Sequence, residues 1–252
     1  MPGSASSRQP KYRQIADELR RAIQAGDYRP GGTLPGENEI MHRYQVARMT
    51  ARQALGLLIN EGLAVARKGA GVYVRSFRPI IRAGIQRLSR DTWPAGRPIW
   101  SADAEGRDLS IDQIEVHESG APAHISALLN LSGDAAVTVR SRRYVLDGKP
   151  VLLSRSYLPA DLVAGSLITQ PDAGPGGTYA RLAELGYRPA RFREDLRSRM
   201  PEPEETDRLQ LPAGTPVVEI TRTAYTDDGR PVEVNEMTAD ASAYIFRYDF
   251  EA

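Results

Sequence analysis

A chain of 252 residues with 41% hydrophobic and 26% charged residues can bury two cores, and its lack of any cysteine excludes disulfides and thiolate chemistry and suits a reducing cytoplasm. The N-terminal MPGSASSRQP lacks the apolar stretch of a signal peptide, and no run approaches the roughly 20 apolar residues of a membrane span, so a cytoplasmic protein without a membrane partner is expected. The net charge of +1 hides a split: residues 1–90 hold 16 Lys+Arg against 6 Asp+Glu, a net +10, and residues 91–252 hold 17 against 26, a net −9. The basic part reads either as a footprint for a phosphate backbone or as a solvated basic face.

In chain order, Tyr12, Ile15, Ala16, Leu19 and Ile23 share one helical face, and Gly26 supplies a stop, which predicts a helix over Tyr12–Ala25. Past a turn-rich stretch, Pro35 marks where a second, short helix can begin; Glu37–Tyr44 would carry Ile40, Met41 and Tyr44 inward. Gln45, Val46 and Ala47 break the pattern before a third helix, Arg48–Asn60, with Met49, Ala54, Leu55 and Leu58 as its buried stripe and Gly62 closing it. Two helices joined by so tight a turn allow the second to enter a major groove with its N-terminal side chains leading, here Arg48, Thr50 and Arg52. Arg48 and Arg52 lie four apart, opposite Leu55 and Leu58, so both guanidinium groups project together. Such a pair is either solvated or placed for DNA; its charge, unfavourable at the positive end of the helix dipole, becomes tolerable where a phosphate sits. Leu63–Arg67 and Val72–Arg75 then predict a hairpin, whose tip of Arg67, Lys68 and Gly69 can lie along a groove as a wing or be an ordinary exposed turn.

The run from Tyr12 to Val74, including LPGENEI, YQVARMTARQAL and EGLAVARKGAGVYV, resembles the DNA-binding domain of the GntR family. That resemblance implies a winged helix-turn-helix over residues 1–76, double-stranded operator DNA as partner, and operator contacts at Asn38, Arg48, Thr50, Arg52 and Gly69. Asn38 stands where many members carry arginine or serine, and Ala47 where serine is usual; both departures bear on which operator is read.

Residues 76–90 contain Arg78, Arg82, Arg87 and Arg90 without an acid and are interrupted by Pro79 and Gly84, so 77–90 is expected to be a connector ahead of a second domain at 91–252. Trp93, in the irregular stretch that follows, reads as core packing. Strands are expected at Ile111–His117, Ala136–Leu146, Val151–Tyr157, Arg191–Arg199, Val217–Tyr225, Val232–Met237 and Ala243–Phe250. Helices are expected at Pro122–Leu129, Thr178–Leu185 and Glu202–Leu209, and Asp147-Gly148 and Asp227-Asp228-Gly229 mark hairpin turns. The pattern describes an α+β domain: an antiparallel sheet with helices on one side.

Three segments, RSRRYVLDGKPVLLSRSYLP, GGTYARLAELGYRP and GTPVVEITRTAYTDDGRPVEVNEMTAD, together resemble the UTRA effector domain of the HutC subfamily, over about residues 85–250. The resemblance implies a chorismate-lyase-like fold with a small-molecule effector pocket lined by Arg142, Tyr144, Ser154, Tyr179 and Glu236, with Ser89 on a nearby loop. Tyr144 replaces a frequent arginine, Ser154 a frequent glutamate and Met237 a frequent tyrosine, so the effector does not follow from relatives that bind phosphosugars or urocanate. On the residues alone, Arg142 is equally an exposed strand arginine paired with an acid on a neighbouring strand.

Other chemistry finds no support in the sequence. His42, His117 and His124 lack partners at metal-ligand spacing, and there is no nucleophile elbow, phosphate loop or dinucleotide fingerprint, so neither metal nor cofactor is expected. Gly174-Pro175-Gly176-Gly177 reads as a flexible loop, and Glu202, Glu204 and Glu205 suit a helix start. The expectation is a homodimeric, ligand-responsive repressor on a palindromic operator, not an enzyme. Two alternatives stand beside it: a lyase-like enzyme in the second domain, since the implied fold is shared with chorismate lyase, and a repressor whose pocket is vestigial.

Overall fold

A computed structural model of the chain describes residues 9–76, 79–84, 107–133 and 135–250. They divide into two compact units, one of Met1–Arg78 with Pro212–Thr215, the other of Pro79–Leu211 with Pro216–Ala252. Among the described residues no helix is long and apolar enough to cross a membrane.

The first unit is three helices and a hairpin: α1 (Lys11–Ala25), α2 (Glu37–Tyr44), α3 (Arg48–Asn60), β1 (Ala64–Arg67) and β2 (Gly71–Val74). Gly26 ends α1 in the left-handed conformation, its N–H turned back to the carbonyls of Ala22 and Ile23. Gln45 ends α2 in the same region at φ 51°, where its side-chain amide donates to the His42 carbonyl at 2.8 Å. Ile15, Ala16 and Leu19 meet Ile40, Ala51, Ala54, Leu55 and Leu58 in one core, closed below the hairpin by Leu34, Ala64 and Val74. The stripe on α3 runs 51, 54, 55, 58, and this corrects one expectation. Met49 precedes Ala51 by two residues, about 200° around the helix, and is 59% exposed. The hairpin is held on its other edge by residues 31–34: Gly31 N–H donates to Val74 O at 3.0 Å, Val74 N–H to Gly32 O at 2.8 Å and Leu34 N–H to Val72 O at 2.8 Å.

The second unit contains β3 (Ile80–Ala83), β4 (Leu109–Gly120), α4 (Ala123–Leu129), β5 (Ala136–Leu146), β6 (Lys149–Pro159), α5 (Ala160–Val163), a 3-10 turn (Leu167–Thr169), α6 (Gly177–Glu184), β7 (Arg191–Arg199), α7 (Pro203–Leu209), β8 (Val217–Tyr225), β9 (Pro231–Asp240) and β10 (Tyr244–Arg247). Six strands form one antiparallel sheet in the order β4-β5-β6-β9-β8-β7. The β5–β6 turn has positive φ at both Asp147 (50°) and Gly148 (75°), the backbone that Asp-Gly favours in a two-residue hairpin. Glu202 and Glu205 complete a reciprocal capping box at the start of α7, with Pro203 in its first turn.

Two expectations are corrected here. Helices cover both faces of the sheet: α4 packs Ile125 and Leu129 on Val137, Val139, Tyr157 and Val234, whereas Tyr179 and Leu182 of α6 pack with Leu158 and Ala224 on the other face. The second change concerns four residues expected in the connector. Ile80–Ala83 form a strand in parallel register with β10, from Tyr244↔Ile80 to Arg247↔Ala83, because Ile80 and Arg82 alternate inward to buried positions. The partner strand is correspondingly shorter than the predicted Ala243–Phe250. Ile80 and Tyr244 join Tyr144, Leu152, Ile220 and Met237, so the ribbon covers part of the face that carries α6.

Candidate nucleic-acid interface and ligand cavity

The α2–α3 turn brings the start of α2 beside the start of α3. Ala47 caps α3 without a side-chain acceptor and its first turn holds no acid, so the positive end of the helix lacks an internal anion. Arg48 and Arg52 project from this end, each with a side chain 60% exposed. Both fold back toward α2: Arg52 Nε and Nη2 donate to Glu37 at 2.8 and 3.3 Å, Arg48 Nε lies 3.8 Å from Glu37, and Arg48 Nη2 donates to Asn38 Oδ1 at 3.0 Å. The Arg52 hydrogen bond holds the Glu37 carboxyl below the usual carboxylate range and in return raises the Arg52 guanidinium. Asn38, Arg48 and Arg52 are thus gathered around Glu37, with Thr50 half-buried on α3. Arg67, Lys68 and Gly69 are exposed at the hairpin tip; Gly69 has φ 74°, Ala70 N–H closes the turn onto Arg67 O at 3.0 Å, and the Arg67 guanidinium lies 4.3 Å from the Tyr73 ring centre. Two cations can therefore reach phosphate or base edges from α3 while the tip offers two more.

In the second unit the sheet face beneath α6 forms a cavity of about 340 Å³. Its floor is Arg140, Arg142 and Tyr144 of β5, Ser156 of β6, Arg222 of β8 and Glu233, Asn235 and Met237 of β9; residues 171–174 and 176–177 with Thr178 and Tyr179 form its wall. Arg140 is 1% exposed and donates to the carbonyls of Ile168, Gln170 and Pro171, the last at 3.0 Å, which pins the wall to the floor. Burial, reinforced by Arg142, draws its guanidinium down to about 10. Arg142 reaches Thr178 Oγ1 at 3.4 Å, and its Nε has no partner among the described residues. Arg222 lies against the rings of Tyr179 and Phe192, 5.5 and 5.9 Å from their centres, with Nη1 3.9 Å from Glu194; its Nε and Nη1 make no hydrogen bond among the described residues. Glu194 is also bound by both terminal nitrogens of Arg82. Three guanidinium groups thus line the cavity, against the carboxylates of Asp172 and Glu233, and Glu233 keeps one buried oxygen without a partner among the described residues. Buried donors left open in low dielectric favour an anion that can accept from them.

Residues 11–74 match the family described as bacterial regulatory proteins, gntR family, and residues 104–245 match the UTRA domain. The chain belongs to the GntR family. Among its relatives, the HTH-type transcriptional regulator SCO4628 of Streptomyces coelicolor is 32% identical over 96% of this chain and 93% of its own. The HTH-type transcriptional repressor NagR of Bacillus subtilis is 26% identical over 94% and 93%. The crystal structure of PhnF from Mycobacterium smegmatis, 24% identical, shares the fold over 94% of this chain and 99% of its own, at a TM-score of 0.59. This GntR-family member is a transcriptional regulator with a DNA-binding helix-turn-helix domain and a UTRA effector domain.

Within the regulator's UTRA domain, Arg142, Tyr144 and Tyr179 line the cavity. Ser154 stands one contact behind it, donating to Asn235 Oδ1 at 2.9 Å. Glu236 does not join them. Asn235 and Met237 face the cavity, so the two-residue period of β9 turns Glu236 to the opposite face, where it meets His124 at 2.8 Å beside a second cavity of about 270 Å³. Ser89 lies outside the described residues. The pairing considered for Arg142 belongs to its neighbour: Arg143, on the other face, holds Asp112 of β4 at 2.8 and 2.7 Å. Sequence reasoning did not single out Arg140, Arg222, Glu233 or Asn235. The same period places Arg140 beside Arg142 and Tyr144, whereas Arg222 becomes visible only through its cross-strand pairing with Asn235.

Proposed function

We propose that this regulator is a homodimeric repressor that binds a palindromic operator through Asn38, Arg48, Thr50, Arg52, Arg67, Lys68 and Gly69, and that releases it when a small anionic effector occupies the arginine-lined cavity. The observation that carries the DNA reading is the exposure of Arg48 and Arg52 at an uncapped helix start with no acid in its first turn. A two-fold dimer presents two such helices to half-sites about one DNA turn apart, which is why a palindrome is the expected target. Repression agrees with the printed name of NagR. Binding rather than turnover agrees with the printed names of SCO4628 and NagR, both HTH-type regulators. An effector that prefers the dimer geometry unsuited to the operator lowers DNA affinity by its differential affinity for the two states.

Gel-shift titration on the DNA upstream of the regulator's own coding region tests this. Arg48→Ala and Arg52→Ala are each expected to weaken operator binding about tenfold or more. Unchanged affinity in both would remove these residues from the contact surface.

A further inference from the structure

Among the described residues Glu37 is the one acid that pairs with both arginines at the leading end of α3, and it sits in the first turn of α2, where the helix dipole favours its charge. Its carboxylate takes Arg52 with both oxygens, through the fork of N–H groups that a phosphate would also use. Asn38, the next residue, takes the outer nitrogen of Arg48. The start of α2 is therefore a cradle that holds two long side chains in fixed rotamers before any nucleic acid arrives. We infer that Glu37 is a specificity-determining residue of the DNA interface, acting through Arg52 and Arg48 as a built-in competitor for phosphate.

Two effects follow from one carboxylate. First, it cancels one of the two charges at the tip of α3, so contact with a backbone of arbitrary sequence neutralises about one phosphate fewer than two free arginines would. Second, it spares the arginines the cost of ordering when they meet base edges, where a fixed fork is what discriminates. The first effect weakens binding everywhere; the second is recovered only where the bases match. Glu37 thus trades affinity for discrimination, and the acid matters because its charge is in reach of both guanidinium groups, not because it stabilises the domain.

The inference rests on Arg48 and Arg52 facing DNA, and the test separates the two claims. An operator duplex is selected by the wild-type full chain from a random pool, and its affinity and that of a scrambled duplex are measured by fluorescence anisotropy at several salt concentrations. In Glu37→Gln, which keeps the side chain's shape, the scrambled duplex is expected to bind about eightfold tighter at 0.1 M salt, with a salt slope steeper by about 0.9. Operator binding gains less, so the ratio of operator to scrambled affinity falls at least about fivefold. In an Arg52→Met background the substitution loses most of its effect on the scrambled duplex. Parallel change on both duplexes in either direction, no change on the scrambled duplex, or an effect that persists undiminished beside Arg52→Met would each overturn the inference, and unfolding midpoints of the variants identify a merely structural cause. Wild-type protein that binds neither duplex in a salt-dependent way would instead overturn the placement of the arginines at DNA.

Discussion

The two units use arginine in opposite ways. In the helix-turn-helix unit, Arg48 and Arg52 are mostly in water and rest on a carboxylate from which they can be exchanged. In the UTRA unit, Arg82, Arg140 and Arg222 are 2%, 1% and 6% exposed, and their partners are an acid and main-chain carbonyls that cannot be exchanged without leaving a charge stranded. The difference is solvent. Exposed ion pairs contribute between nothing and about 1 kcal/mol because water screens them, which suits a surface that must let go of one anion to take another. Buried cations bind their partners firmly only because the alternative is an unsatisfied charge in low dielectric, which suits a cavity that must wait, preorganised, for a ligand.

The contrast is broken most directly at Glu194. Glu194→Ala removes the acid facing both Arg82 and Arg222, whose side chains are 2% and 7% exposed, and is expected to destabilise the UTRA unit by about 3–5 kcal/mol in urea unfolding. A loss under 1 kcal/mol, as for a surface pair, would erase the distinction drawn between the units.

Arg140→Met comes next. It strips the donor from the carbonyls of Ile168, Gln170 and Pro171, for an expected cost of about 1–3 kcal/mol, and hydrogen exchange should quicken in residues 166–177 relative to α4. Equal protection in wild type and variant would mean that the wall is held by its apolar contacts instead.

The smallest effect sharpens the comparison within the UTRA unit. Glu205 accepts two hydrogen bonds from Arg199, at 2.6 and 2.7 Å, and this pairing, with Thr238 and the Glu202 N–H, holds its carboxyl below the usual value of 4.5. Because the folded value is the lower one, the stabilisation is present above the unfolded value and disappears as pH falls below 4.5 through the folded one. Glu205→Gln should therefore lower the urea midpoint more at pH 7 than at pH 3. A penalty that stays the same at both would assign the effect to packing.

Much of the fold was legible before any coordinates. The spacing of Ile40, Met41 and Tyr44 and of Leu55 and Leu58, with the turns at Asp147-Gly148 and Asp228-Gly229, places α2, α3, β5 and β8 at the residues where they occur, since each is written in a local period or a turn preference. Met49 shows where such reading slips: an apolar side chain at the tip of α3 suits the stripe by its chemistry, although its phase on the helix points it outward. The site was less legible. The motif around Glu236 points it to the pocket, yet a strand cannot turn adjacent residues to one face, and Glu233, three positions earlier, is the β9 carboxylate that reaches the cavity. Glu37 carries no distinguishing signal in the sequence, because an acid at a helix start has an ordinary explanation in the dipole.

What the sequence determined by itself is therefore most of the elements, though not β3, α5 or the 3-10 turn, together with the two-domain order and the charge of each part, all of which depend on neighbours along the chain. Tertiary structure alone decided which acid meets which arginine and which sheet face holds a cavity. Arg82 and Glu194 lie 112 residues apart, and Arg140 and Pro171 31 apart. Contacts at such separations depend on strand order and register, which bring together side chains that no local pattern can pair.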